Sequence, residues 1–287
     1  MKAWKALVCA FRWEMLLFVR GRIGWILAVG MLVSGVGEGI SIRLLPIQFW
    51  TDVSISVLLT TLLITLAIGE IAQQGNEYQG AKLIWSTPIG TTSYLWGKYL
   101  CLLTIALGFS LEQGTVAILT DWIFVWHWPP LMYGHVAFQS LGIAAYIDLW
   151  WKYMLWPMLL GTSLAYSLIT ILKGQQIIVY LAVIILWITS YNQVLPGWLD
   201  VLGMSFHEKS AGSLAVALDK VLGPAEQTNL ILTTKPMETA MNLVRMNILM
   251  EGASSGFLAN RGELLLVSLL LVWITVGVVG WRRQRYV

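Results

Sequence analysis

Long apolar runs separated by short polar stretches organise this chain. Six runs reach or approach the roughly 20 residues a helix needs to cross a hydrocarbon core about 30 Å thick. They are Ile23–Ile42, Val53–Ile71, Tyr99–Ile118, Tyr153–Leu172, Ile177–Leu195 and Leu264–Trp281. None alternates apolar and polar residues as a barrel strand does, and lipid cannot satisfy an exposed backbone, so each run predicts a helix. The expected fold is all-α: a polytopic membrane protein with six transmembrane helices.

Ahead of the first run, Trp4, Leu7, Val8, Phe11, Met15 and Phe18 recur at helical spacing, with Lys2, Lys5 and Arg12 mostly off that stripe. This predicts an amphipathic helix over residues 1–22 lying in the membrane interface, its basic groups meeting anionic lipid heads. Arg12, Glu14, Arg20 and Arg22 interrupt the N-terminal apolar residues, so a cleavable signal peptide is not expected.

The remaining polar stretches divide the chain further. Residues 72–98 form a short segment between the second and third runs. Residues 119–152 carry Pro129 and Pro130, which forbid a continuous helix there, and 136–150 could lie flat on the bilayer or dip into its outer leaflet. Residues 196–263 predict a helical cap. Its candidate helices are 213–222 and 237–250, the latter with a stripe of Met237, Met241, Val244, Ile248 and Leu249. Residues 264–287 hold the last span and a basic tail.

Composition strengthens this picture. Only 11% of the 287 residues are charged and 57% are hydrophobic, whereas a soluble domain carries about a quarter charged residues. Basic residues set the orientation. With both termini cytoplasmic, 11 of the 18 Lys and Arg fall on the inner side, accompanied only by Glu14, Glu70 and Glu77. Trp25, Trp50, Trp96, Trp122, Trp150, Trp151, Trp198 and Trp281 flank the runs, where indole rings bridge water and acyl chains. Nucleic acid is not an expected partner, and Cys9 and Cys101 read as small apolar fillers.

Candidate chemistry is sparse. Gly90 to Lys98 fails as a phosphate loop: its spacing is wrong and Tyr99 stands where a hydroxyl must reach magnesium. No metalloprotease or serine-hydrolase motif is present, so no catalytic residue is assigned. His127, His135 and His207, with Asp121, Asp148 and Glu208, have no compact ligand spacing, and no metal is expected. Glu112 lies within a predicted span. Such a carboxylate contacts a substrate or proton along a path, or else lies at the outer head-group level or is paired structurally. Gly35, Gly37 and Gly39 predict close helix packing.

The segment GNEYQGAKLIWSTPIGTTSYLWGKYL, Gly75 to Leu100, carries a family resemblance. Its Glu77, Gly80, Thr87, Pro88, Gly97 and Lys98 resemble the pattern after the second span of ABC-2 type permeases. There, an acidic residue, a glycine and a Ser-Thr-Pro stretch precede a helix that begins near Gly-Lys. The interfacial helix, six spans and inner termini are similar too. The chain departs from the family in Gln79 and Ala81 and in its long outer segments.

The resemblance implies the permease subunit of an ATP-driven exporter in a bacterial cell membrane. It would pair with a second permease, identical or different, and move an amphipathic, lipid-linked or peptide substrate. ATP and magnesium would be bound by separate ABC ATPase subunits, with no cofactor on this chain. Docking would fall on Glu77, Gly80, Lys82, Thr87 and Pro88. Pro88 disfavours helix at Thr87, which makes the segment a short knob. Two other readings stay open: an intramembrane enzyme using the outer His and acidic residues, and a scaffold whose outer cap binds another protein.

Overall fold

The computed structural model describes residues 2–44, 49–77, 91–127, 141–172, 175–194, 200–226, 242–248 and 255–284. Among these, every regular element is helical. In chain order they are α1 (Lys2–Arg20), α2 (Arg22–Leu44), α3 (Phe49–Glu77), α4 (Thr91–His127), α5 (Ile143–Ile171), α6 (Gln176–Tyr191), α7 (Met204–Glu226), α8 (242–248) and α9 (Ser255–Gln284).

Five stretches are long and apolar enough to cross a membrane: Arg22–Ile40, Asp52–Gln73, Thr91–Ile123, Ile143–Ile171 and Gly256–Trp281. The expected span Ile177–Leu195 falls on α6, an apolar helix of 16 residues, about 24 Å long at 1.5 Å per residue. Large apolar side chains cover the outside: Trp25, Ile26 and Val33 on α2, Ile177, Leu181 and Ile185 on α6, Leu266, Leu270 and Trp273 on α9. So extensive an exposed apolar surface needs lipid as its solvent. The chain has the architecture of an integral membrane protein.

At the centre, α3 and α4 run side by side. α2 packs on α4, α5 on α3 and α9, and α6 on α3. Two small residues explain the α2–α4 contact. A Cβ at Gly35 would stand 2.6 Å from the Gln113 carbonyl oxygen, and one at Gly39 would stand 2.7 Å from that of Ala117. Glycine lets the two backbones touch. Gly37, between them, faces open space.

The predicted apolar stripe of α1 largely holds its place. Leu7, Val8, Phe11, Met15 and Phe18 are partly buried, while Trp4 is exposed. Its supporting surface is α4: Leu7 and Ala10 lie over Gly97, and the Phe18 ring meets Phe109 edge-on at 5.8 Å. The outward side of α1 mixes Lys5 and Arg12 with Trp13, Leu16 and Val19.

Two expected boundaries change. The third span lies within the longer helix α4, Thr91–His127, whose crossing stretch is Thr91–Ile123. The described part of the stretch 136–150 is continuous with the fourth span: Ile143–Leu149 runs through a π-helical turn, Trp150–Met154, into Leu155–Ile171, and 136–140 lie outside the described residues. Pro157 accounts for that turn. It has no N–H for the carbonyl of Tyr153 four residues back, and its ring crowds that carbonyl, so the turn ahead widens.

In the expected cap, α7 contains 213–222 and α8 carries the buried Val244 and Ile248. Met237, Met241 and Leu249 lie outside the described residues.

Candidate functional site

Three buried polar nodes interrupt the apolar bundle, and the first adjoins the segment that carries the family resemblance. Lys98 and Glu14 are both almost wholly buried. Lys98 Nζ donates to the Ala72 carbonyl at 2.7 Å and stands 4.0 Å from Glu14 Oε1. The same carboxylate oxygen accepts the Tyr94 hydroxyl at 3.0 Å. Tyr166 donates to the Leu95 carbonyl at 2.9 Å, and Tyr99 shares a 3.0 Å bond with Ser163. This node therefore ties α1, α3, α4 and α5 together. Gly97 belongs to it, because a Cβ there would stand 2.6 Å from the Leu7 carbonyl oxygen. The Gly-Lys pair lies inside α4 and seats α1. A few residues away, Glu70 Oε2 accepts Tyr180 at 2.7 Å and Gln176 at 3.2 Å, fastening α6 to α3.

Of the predicted docking residues, Glu77 ends the described part of α3. Gly80, Lys82, Thr87 and Pro88 lie outside the described residues.

The second node lies where α2, α3, α4 and α5 meet. Glu38 Oε2 accepts the Ser56 hydroxyl at 3.0 Å and the Gln113 amide, while Ser34 and Thr60 share a 3.2 Å bond nearby on α2 and α3. Glu112, the predicted intramembrane carboxylate, is half-buried and turned away from this node, whereas its neighbour Gln113 is buried in it. Trp150 donates to Ser110 at 2.6 Å on the same side of α4. Glu38 was legible in principle, as an acidic residue within an apolar run, and the sequence reading passed over it.

The third node caps the other end of the bundle. Asp200 Oδ1 accepts the Gly203 and Met204 amides at 2.8 and 3.0 Å, and its Oδ2 accepts the Ser205 amide and hydroxyl at 2.8 and 2.6 Å. These are the first donors of α7, so Asp200 starts that helix. Gly203 supports the turn with φ of 78° and leaves room for Arg261, whose Nη2 would stand 2.2 Å from a Cβ there. Arg261 is buried, donates to the Val201 carbonyl at 3.1 Å, and lies 4.6 Å from the Phe257 ring centroid.

Beside it, His207 Nδ1 and the Ser54 hydroxyl are 2.9 Å apart, and the His207 ring meets Tyr153 at 4.0 Å. A cavity of about 250 Å³ is lined by Ser54, Tyr191, Gln193, Met204, His207 and Glu208. Of the other histidines, the His127 side chain and all of His135 lie outside the described residues. Asp121 accepts the Leu141 amide at 3.2 Å, and Asp148 pairs with Lys152, which also donates to the Ile248 carbonyl. Among the described residues, no three His, Cys, Asp or Glu side chains converge as a metal site would require.

No family model matches this chain, and no curated protein is significantly similar to it.

Proposed function

We propose that the chain is the membrane-spanning permease subunit of an ABC-2 type exporter. In this reading it works with a second permease and with separate ATPase subunits that bind ATP and magnesium and dock on residues 75–90. Both termini are cytoplasmic, α6 completes a sixth crossing, and α1 rests at the inner interface.

The observation that carries the proposal is the clamp around Lys98. α3 ends at Glu77, five residues after Ala72, and α4 begins at Thr91, ahead of Tyr94 and Lys98. Those two helix ends are bonded to each other through Lys98 and to α1 through Glu14. A push on the segment would move three helices together rather than flex a loop. A coupling element must do this if closure of a soluble ATPase is to open a path through lipid-embedded helices.

The test is to replace Glu77 and Gly80 together and measure ATP hydrolysis in the assembled complex. The proposal expects substrate-stimulated turnover to collapse while the complex still forms; unchanged stimulation would overturn it.

The Ser54–His207 pair beside its cavity favours a second reading, a membrane enzyme with a serine nucleophile activated by a histidine. A fluorophosphonate probe would decide. Labelling at Ser54 that disappears in His207→Ala supports the enzyme, and no labelling leaves the pair a structural link between α3 and α7.

A further inference from the structure

The Glu38 node combines four features that the permease reading does not use. The first is a carboxylate inside a membrane-crossing stretch, Arg22–Ile40, where an ionisable group is costly unless it serves a purpose. The second is its set of partners. Ser56 on α3 and Gln113 on α4 both donate to the same oxygen, so one carboxylate links three helices. The third is a cavity of about 20 Å³ bounded by Glu38, Gln113, Gly114, Tyr146, Trp150 and Met154. Roughly 10–15 Å³ suffices for one water, whereas organic ligands take pockets of several hundred Å³. The space therefore fits a water and no organic substrate. The fourth is the wall of that cavity. Trp150 and Met154 are the two ends of the π-helical turn in α5, and such turns recur at functional positions.

We propose that Glu38 is a proton-exchange site. Its carboxylate takes a proton from hydronium through the cavity, leaving a neutral carboxylic acid and one water, and returns it by the same route. Only O–H bonds form and break. As a carboxylate, Glu38 only accepts, which suits the donors on Ser56 and Gln113. As an acid protonated on Oε1, it keeps both bonds on Oε2 and donates toward the cavity; protonated on Oε2, it must loosen the bonds to α3 and α4. Gly35 and Gly39 hold the α2 backbone against α4 on either side of Glu38, so a change in these bonds acts beside a close helix contact. Of the described ionisable groups on α3, α4 and α5, among them Asp52, Glu112, Asp148 and Lys152, only Tyr146 borders the cavity.

The experiment is pH-difference infrared spectroscopy of the full chain in lipid vesicles, following the C=O stretch of a protonated carboxylic acid. The expected result is a band that titrates with pH, is lost in Glu38→Gln and persists in Glu112→Gln. Should Glu38→Gln fail to fold, two variants that keep Glu38 still decide. Ser56→Ala and Gln113→Leu each remove one hydrogen bond and should shift the band's frequency. Gly114→Ala, whose new Cβ would lie 3.7 Å from Trp150 in ordinary contact, should narrow the cavity and diminish the titrating amplitude. Absence of a titrating band, a band unaffected by Glu38→Gln, or one unmoved by both Ser56→Ala and Gln113→Leu would overturn the proposal. None of these readouts depends on an ATPase partner, so this proposal and the permease reading stand or fall separately.

Discussion

At the scale of single residues, the buried pair Glu14 and Lys98 has the largest consequences. Neither side chain reaches water, and each is held by neutral hydrogen-bond partners as well as by the other's charge. Removing one member of a buried ion pair costs about 3–5 kcal/mol, because the survivor keeps its desolvation penalty, whereas replacing both by apolar groups is often neutral. Lys98→Met should therefore destabilise the protein by an amount of that order. Lys98→Met combined with Glu14→Leu should recover part of the loss. Denaturant unfolding in detergent micelles of the two single variants and the double variant would measure this. Additive losses would mean that the two groups act separately.

At the scale of elements, the α2–α4 pair shows how close packing in lipid depends on particular glycines. Between helices already solvated by acyl chains there is little hydrophobic gain from association, so backbone proximity and dispersion must supply it. A methyl at Gly35 or Gly39 would meet a backbone carbonyl, which cannot rotate aside as a side chain would. Such overpacking costs typically about 1–3 kcal/mol. Gly35→Ala and Gly39→Ala should each lower the melting temperature in detergent. Gly37→Ala, with nothing within 4 Å of its Cβ, should leave it nearly unchanged. Equal effects at all three positions would show that helix propensity, not packing, governs α2. α1 depends on a similar close approach at Gly97, reinforced by its buried carboxylate.

At the scale of the whole molecule, the distribution of Lys and Arg and the proposed sixth crossing by α6 make one joint prediction. Tags or cysteines placed at the two chain ends should be accessible from the same side of the membrane. A cysteine replacing exposed Val194, just beyond α6, should be accessible from the opposite side. Impermeant thiol labelling of sealed vesicles, with Cys9 and Cys101 replaced, would measure it. Ends on opposite sides would remove α6 from the set of spans and leave five.

Much of the architecture was legible in the chain alone, because run length and total polarity report directly on the solvent. An apolar stretch of about 20 or more residues has one stable solution in lipid, and five such stretches are present among the described residues. The spacing of Leu7, Phe11, Met15 and Phe18 was readable as one helical stripe, but its packing against α4 was not.

What only the tertiary structure decided is which way each spanning helix faces. In water, the polar face of a helix points outward and the pattern reveals it. In lipid, the outward face is as apolar as the buried one, so periodicity carries little information. That is why Glu112 stood out in the sequence while its neighbour Gln113 occupies the buried node, and why Lys98, expected in a soluble segment, is a buried clamp. It is also why Ser54 and His207, separated by 153 positions, could be joined only by the packing of α7 against α3.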